Sequence, residues 1–299
     1  MFIKIIRQVT RYYPFYYPIY PLLKFLPDIP DNYGEFTIKN KLKINGYGGG
    51  RDVVCKSLFW FGEFDPSVNI TLKRLVEPGD TTIDLGANIG ATAMILALAV
   101  GNQGKVICFE PIPANFGNLE SNINVNHLSQ IESHQLALSD SEGIVKMSIP
   151  SGQFGQASIQ TTPTLSQNLT EVKKTTFDVW KTQQQKLITT KIALCKIDVE
   201  GHELEVLRGM ANTLQTAVNG ECQIESFVFE RHVEWDAVSD PVFDYLASYG
   251  YRVLRIDKRL KSIVYRPLGV KPIGQPTDDF VAIIPGSMGE GKIHRWIVS

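Results

Sequence analysis

Residues Thr81–Gly90 read TTIDLGANIG: a short apolar strand carrying an aspartate near its end, then a glycine-punctuated turn that opens into an apolar helix, GATAMILALAVG. Such a turn builds a ligand pocket from backbone. Gly86 and Gly90 lack a Cβ, so the chain can turn sharply and a ligand can approach the main chain. The helix behind the turn aims its free N–H groups at whatever lies above it. Asp84 sets a carboxylate at the strand's end. The stretch predicts a nucleotide-like ligand over a parallel sheet.

Its spacing excludes two common ligand classes. G-x-x-x-G is not the G-x-G-x-x-G of a dinucleotide site, and no Gly-Lys-Ser/Thr follows to grip phosphate. Ala87, Asn88 and Ile89 stand between the glycines, and Asn88 offers an amide suited to a carboxylate or hydroxyl. The next strand, KVICFE, ends in Glu110, where an acidic side chain can accept both hydroxyls of a ribose.

Composition bounds the rest. A chain of 299 residues with 43% apolar and 20% charged residues is an ordinary globular protein of one large or two small domains. A net charge of -1, without a basic run, argues against a nucleic-acid partner. Cys55, Cys108, Cys195 and Cys222 are scattered. Cys108 and Cys195 sit in apolar strand patterns and read as buried thiols, which favours a reducing, cytoplasmic setting.

No apolar run is long enough to span a membrane. The first 31 residues form an arm rich in aromatics, with prolines at 14, 18, 21 and 27 that forbid a long helix. It has two readings, a peripheral membrane contact or packing on the protein's own core, and the second is favoured.

Along the chain, EFTIKNKLKI between glycine-rich turns predicts a small hairpin. A helix is expected from Asp65 to Val76, with Asp65 as N-cap and Pro66 at its first position. Strands and helices then alternate: TTIDL, KVICF, IESHQLAL, TTKIALCKID, ESFVFE, YRVLRI and DFVAII as strands, with helices between most of them. A mainly parallel sheet with right-handed crossovers follows, its ligands at the carboxyl ends of the strands. A polar excursion from Ser139 to Thr176, holding one β-like run, GIVKMSIP, reads as an active-site cover or surface loop. The divisions are 1–31, the arm; 32–74, hairpin and helix; 75–285, the ligand-binding domain; and 286–299, a tail.

A second group of ionisable residues lies in KIDVEGHELEVLRGM. Asp198, Glu200 and His202 crowd the turn after an apolar strand, a density that a purely structural turn does not need. Glu203, in the helix's first turn, is explained by the helix dipole. The following strand ends in FERH, adding His232 and Glu230 to the same edge, Glu230 as a further candidate catalytic residue. Asp198 and Glu230 could together hold a hard cation, but without a third ligand no metal is expected.

With these residues in view, the chain resembles the FkbM family of S-adenosylmethionine-dependent methyltransferases over roughly residues 75–285. The resemblance rests on IDLGANIG, FEPIPANFGNLESNINVN, ALSDSEG, TTFDVW, KIDVEGHELEVLRGM and FERH in that order. It implies a class I methyltransferase (Rossmann-like) α/β fold: a seven-stranded, mostly parallel sheet whose last strand is antiparallel. It implies S-adenosylmethionine as donor, O-methylation of a sugar, glycan or natural-product hydroxyl, and a small-molecule or glycan acceptor.

By the same resemblance Asp84, Gly86, Ala87, Asn88 and Gly90 would line the methionine end, and Glu110 would hold the ribose beside Pro111 and Ile112. Ser139 and Asp140 would lie near the adenine, and Asp198, Glu200 and His202 would face the methyl group. Removing a hydroxyl proton calls for a base, for which His202 and Glu200 are the candidates, with Asp198 orienting. Two other classes stay open: a nicotinamide-dependent oxidoreductase, disfavoured by the missing third glycine, and a non-catalytic, membrane-associated binding protein, disfavoured by the intact glycines and Glu110.

Overall fold

The strand at Thr81 forms, and the rest of the molecule is organised on either side of it. The computed structural model of the protein describes residues 2–11, 22–29, 34–45, 52–149, 158–159, 168–184, 191–218, 224–272 and 274–298. Strands β1 (Glu35–Thr37) and β2 (Lys43–Asn45) pair antiparallel as the expected hairpin. Then follow β3 (Thr81–Leu85), β4 (Lys105–Phe109) and β5 (Ile131–His134). The excursion supplies β6 (Ala137–Leu138), β7 (Gly143–Ile149), β8 (Ser158–Ile159) and β9 (Asn168–Thr175). The chain returns through β10 (Ile192–Ile197), β11 (Ser226–Glu230), β12 (Arg252–Lys258), β13 (Ile263–Pro267) and β14 (Gln275–Ile283).

The central sheet runs β13-β12-β14-β11-β10-β3-β4-β5. Strands β5, β4, β3, β10 and β11 are parallel, and β14 is antiparallel to both β11 and β12. This is the class I methyltransferase order with its antiparallel last strand. One further strand, β13, pairs antiparallel with β12 at the edge. The sequence reading missed it because IVYRP is short, ends in proline and joins β12 as a local hairpin rather than through a helix. The chain departs from β3 in both directions, so the switch of strand order falls between β3 and β10, where an open α/β sheet leaves a crevice.

Helices cover both faces and bury two clusters, one around Trp60, Leu72 and Met94 and one around Phe177, Leu207 and Phe227. Helix Pro66–Leu75 starts as expected, with the Asp65 carboxylate accepting from the Ser67 and Val68 N–H groups. Helix Val53–Phe61 was not expected. It is buried on nearly all sides, so it shows no amphipathic period, and Asp52 caps it.

Helix Phe2–Arg11, which precedes the first proline, lies on that helix. The Arg7 Nε–H donates to the Phe59 carbonyl at 3.0 Å, and its guanidinium sits 4.1 Å from the Phe59 ring centroid. This part of the arm packs on the protein's own core, while the proline-rich residues 12–21 lie outside the described residues. Among the described residues no helix is long and apolar enough to cross a membrane.

The polar excursion is more ordered at its two ends than a loop: β6, β9, β7 and β8 form a separate four-stranded sheet beside the crevice, and residues 150–157 and 160–167 lie outside the described ones. Cys55, Cys108 and Cys195 are free and buried, and burial pushes the Cys108 and Cys195 thiols up, leaving them inert. Cys222 lies outside the described residues.

Candidate active site

The crevice holds a cleft of about 1000 Å³, open to solvent, between the turn after β3, the turn after β10 and the excursion sheet. Gly86, Ala87, Asn88, Glu110, Pro111 and Ile112 line it from one side; Asp198, Glu200, His202 and Glu230 line it from the other. Asp84, Gly90, Ser139 and Asp140 are not in its wall.

Both glycines of the opening turn have positive φ, +76° at Gly86 and +91° at Gly90. The reason they lack side chains differs from the one expected. A Cβ on Gly86 would stand 1.8 Å from the Asp198 carbonyl oxygen, and one on Gly90 would stand 2.7 Å from Leu119 Cδ1. The close neighbour is the protein's own chain. Gly86 lets the β3 and β10 turns touch, and that contact is what brings the two halves of the cleft together.

Glu110 is buried at the end of β4. Its Oε2 accepts from the Asn88 N–H at 2.9 Å and its Oε1 from the Ile112 N–H at 2.8 Å. The Asn115 side chain gives a third hydrogen bond, and the acceptor capacity that is left suits a sugar hydroxyl. The Asn88 side chain caps its own turn, Oδ1 accepting from the Ile89 N–H at 2.7 Å. Beside Glu110 the wall turns apolar through Phe109, Ile112, Leu136, Leu138 and Met147, a slot for a flat ring. Ser139 and Asp140 follow that wall directly in sequence. Asp140 points to solvent, and hydrogen bonding from Ser141 holds it below the usual carboxylate range.

Under the cleft lies a residue that the sequence reading passed over. Lys196 is buried at the end of β10 with its Nζ 3.4 Å from Asp84 and 3.1 Å from Asp198. Burial alone would lower its pKa, and the two carboxylates outweigh that and hold it above the ordinary lysine range. Asp84 is thereby the buried counter-ion of Lys196 and does not reach the cleft.

The turn after β10 is tied down on its far side. Glu203, buried, accepts from the Gly201 N–H at 2.9 Å and from Arg231 at 3.0 Å. It does more than complement a helix dipole, and Arg231 is also bound to Asp240. His202 points its Nε2 to Ser139 Oγ at 2.9 Å and its Nδ1 toward Glu205 at 3.5 Å. Burial lowers its pKa and favours the neutral imidazole. Glu200 sits in the left-handed region, φ 53°, a costly conformation for a non-glycine residue. It is exposed to the cleft and makes no hydrogen bond or ion pair among the described residues.

Loss of water, reinforced by Asp198, pushes Glu200 up to about 7, and Glu230 is raised to about 7 in the same way. Glu110 reaches about 7 through burial, which hydrogen bonds from Ile112, Asn88 and Asn115 only partly oppose. These three carboxyls bind protons more readily folded than unfolded. The stability they contribute is therefore complete below their ordinary value near 4.5 and is lost as pH rises through about 7. Urea midpoints measured across that range should fall more steeply for the native protein than for Glu110→Gln. Identical slopes would refute this assignment.

His232 stands outside the cleft, its Nδ1 3.2 Å from Asp278. Glu230, His232 and Asp278 bring ligand atoms within 4.8 Å of one another, and no other such trio occurs among the described residues. Asp198, paired with Glu230 in the sequence reading, is not part of it.

The chain matches known proteins over this region. It is 30% identical over 141 residues to the hexuronic acid methyltransferase AglP of Haloferax volcanii, covering 47% of this chain and 54% of that one. It is 24% identical over 149 residues to methyltransferase 1 of Beauveria bassiana, covering 44% and 59%. The chain thus spans a little over half the length of these relatives. Among solved structures it is similar to an S-adenosylmethionine-dependent O-methyltransferase of Thermotoga maritima, at 15% identity and a TM-score of 0.39 over 74% of this chain and 65% of that one. An O-methyltransferase of Bacillus cereus bound to S-adenosylhomocysteine gives 9% identity and a TM-score of 0.38 over 74% and 82%. The family model described as the methyltransferase FkbM domain matches residues 84–253, from the buried Asp84 to β12 and through Glu110, Asp198, Glu200 and Glu230. More than half of the chain, and nearly all of the cleft, carries the family's pattern: the protein belongs to the FkbM methyltransferase family.

Proposed function

We propose that the protein moves the methyl group of S-adenosylmethionine to a hydroxyl of a sugar, glycan or secondary metabolite. The observation that carries this reading is Glu110, a buried carboxylate held by two backbone N–H groups and Asn115, with acceptor capacity left for a ribose hydroxyl, next to an apolar slot. Bound in this way, the donor supplies an activated sulfonium methyl group. Glu110 would hold its ribose, Pro111, Ile112, Leu138 and Met147 its adenine, and Gly86, Ala87 and Asn88 its methionine end. Asp84 and Gly90 support that end from beneath, through Lys196 and Leu119 respectively. Residues 75–285 form this unit, with Val54 and Phe64 reaching the cleft from the preceding segment.

The acceptor is held on the opposite side. Glu200, without a hydrogen-bond or ion-pair partner among the described residues and raised to about 7, is the group best prepared to take a hydroxyl proton at physiological pH. His202 has both nitrogens occupied and fixes Ser139 against the turn, so its role is positioning. Asp198, bound to Lys196, orients the acceptor.

Calorimetric titration with S-adenosylhomocysteine tests the donor site. Glu110→Ala should weaken binding by roughly 30-fold, the equivalent of about 2 kcal/mol for hydrogen bonds to a charged group. A change within about threefold would refute the assignment of Glu110 to the ribose.

A further inference from the structure

Beyond the donor cleft lies a second cavity of about 480 Å³, joined to it through the shared residues Phe64, Thr92, Lys196, Asp198 and Glu230. Its polar lining is mostly acidic: Asp65, Asp198, Glu230 and Asp279, against Lys196. Lys196 is held by Asp84 and Asp198, and Lys258 lies 3.8 Å from Asp65, whose carboxylate also caps a helix. Glu230 has only the exposed His232 beside it, Nε2 3.9 Å from its Oε1, and Asp279 remains. They are directly opposite partners in the β11–β14 ladder, where like charges repel. Asp279 is only 9% exposed, faces this cavity, and its carboxylate makes no hydrogen bond and no ion pair among the described residues. Burial, with Asp65 and Glu230 nearby, pushes Asp279 well above the usual carboxylate range and Lys258 opposes this only in part, so the carboxyl is held protonated until a cation arrives to pair with it.

We propose that this cavity is the acceptor chamber and that it selects an acceptor bearing a protonated amine beside the hydroxyl to be methylated, as in an amino sugar. The proposal rests on the methyltransferase reading above. A metal ion is a poorer occupant, because the four chamber carboxylates do not converge: the compact trio capable of holding one is Glu230, His232 and Asp278, of which only Glu230 faces the chamber. An ammonium group on a sugar ring can instead take two separated carboxylates while the ring hydroxyls donate to the others. A uronate would add another negative charge to this acidic cluster, so the acceptor of this chain differs in charge from that named for its hexuronic acid relative.

The experiment compares methyl glucosaminide, methyl glucoside and methyl glucuronide, which share a ring and differ in charge, by NMR titration of the protein saturated with S-adenosylhomocysteine. The glucosaminide should bind at least about ten-fold more tightly than the glucuronide, and added salt should narrow the gap. Asp279→Asn, checked for folding by its melting curve, should narrow it to within about threefold while leaving S-adenosylhomocysteine affinity intact. Equal binding of glucosaminide and glucoside, tighter binding of glucuronide, binding of none of the three, or a requirement for added Mn²⁺ would each overturn the proposal. A salt-independent preference would do the same. If S-adenosylhomocysteine itself fails to bind, the methyltransferase reading falls, and the ranking of the three sugars on the free protein still decides the chamber's selectivity.

Discussion

Lys196→Met is expected to destabilise the protein by about 3–5 kcal/mol, the cost of leaving a buried charge without its partner. Lys196 joins Asp84 and Asp198, the carboxylates that end β3 and follow β10, strands paired directly in register. Asp84 is fully buried and has no other charged neighbour at ion-pair distance among the described residues. Methionine fills most of the lysine's volume, so the loss comes from charge rather than from a cavity. The deserted Asp84 would take up a proton to avoid burial as an anion, so the loss should grow with pH. Pairing the change with Asp84→Asn removes the orphaned charge and should recover more than half of the stability. Urea unfolding of the two variants and the double variant is the measurement. A loss under about 1 kcal/mol for Lys196→Met, or no recovery in the double variant, would show that the pair is not what holds this edge together.

This lysine marks where the sequence was readable and where it was not. TTIDL, KVICF and IALCKI carry continuous apolar runs with turn residues behind them, so their place in a parallel sheet could be read from local pattern alone. The acids at the carboxyl ends, Glu110, Asp198 and Glu230, were visible because a charge ending an apolar strand is conspicuous. Lys196 lies inside such a run and looks like a solvated residue at a strand end; only the register of β10 against β3 shows that it faces Asp84. Asp279 was hidden for the same reason. It belongs to a polar stretch, QPTDD, and gains its meaning from lying opposite Glu230, a pairing between residues about fifty positions apart. Gly86 was read correctly as a sharp turn but for an incomplete cause, since the Asp198 carbonyl that forbids a side chain comes from the far half of the chain. Pairings across the sheet leave no trace in local composition, and they account for most of what the sequence did not reveal.

Glu200→Gln should reduce kcat by about 10²–10⁴-fold while leaving S-adenosylhomocysteine affinity unchanged, the range for loss of a general base. The substitution keeps the volume of the side chain and removes only its ability to take a proton. The native enzyme should then show a rate that rises with pH through about 7 and levels off above it, because the active form of Glu200 is the ionised one. His202→Ala separates the base from its neighbour. Its loss should be smaller and should leave the shape of the pH profile in place, since His202 acts by holding Ser139 and the turn. Glu230→Gln is the competing test, because Glu230 lines the same cleft and titrates in the same range. The three variants give separable outcomes in an assay that follows donor turnover with the acceptor identified by the sugar titration. Should Glu200→Gln keep more than about a tenth of native kcat while Glu230→Gln does not, the base is Glu230. Retention by both would return the role to His202, and the strained left-handed backbone at Glu200 would then need another explanation than presenting a carboxylate to the acceptor.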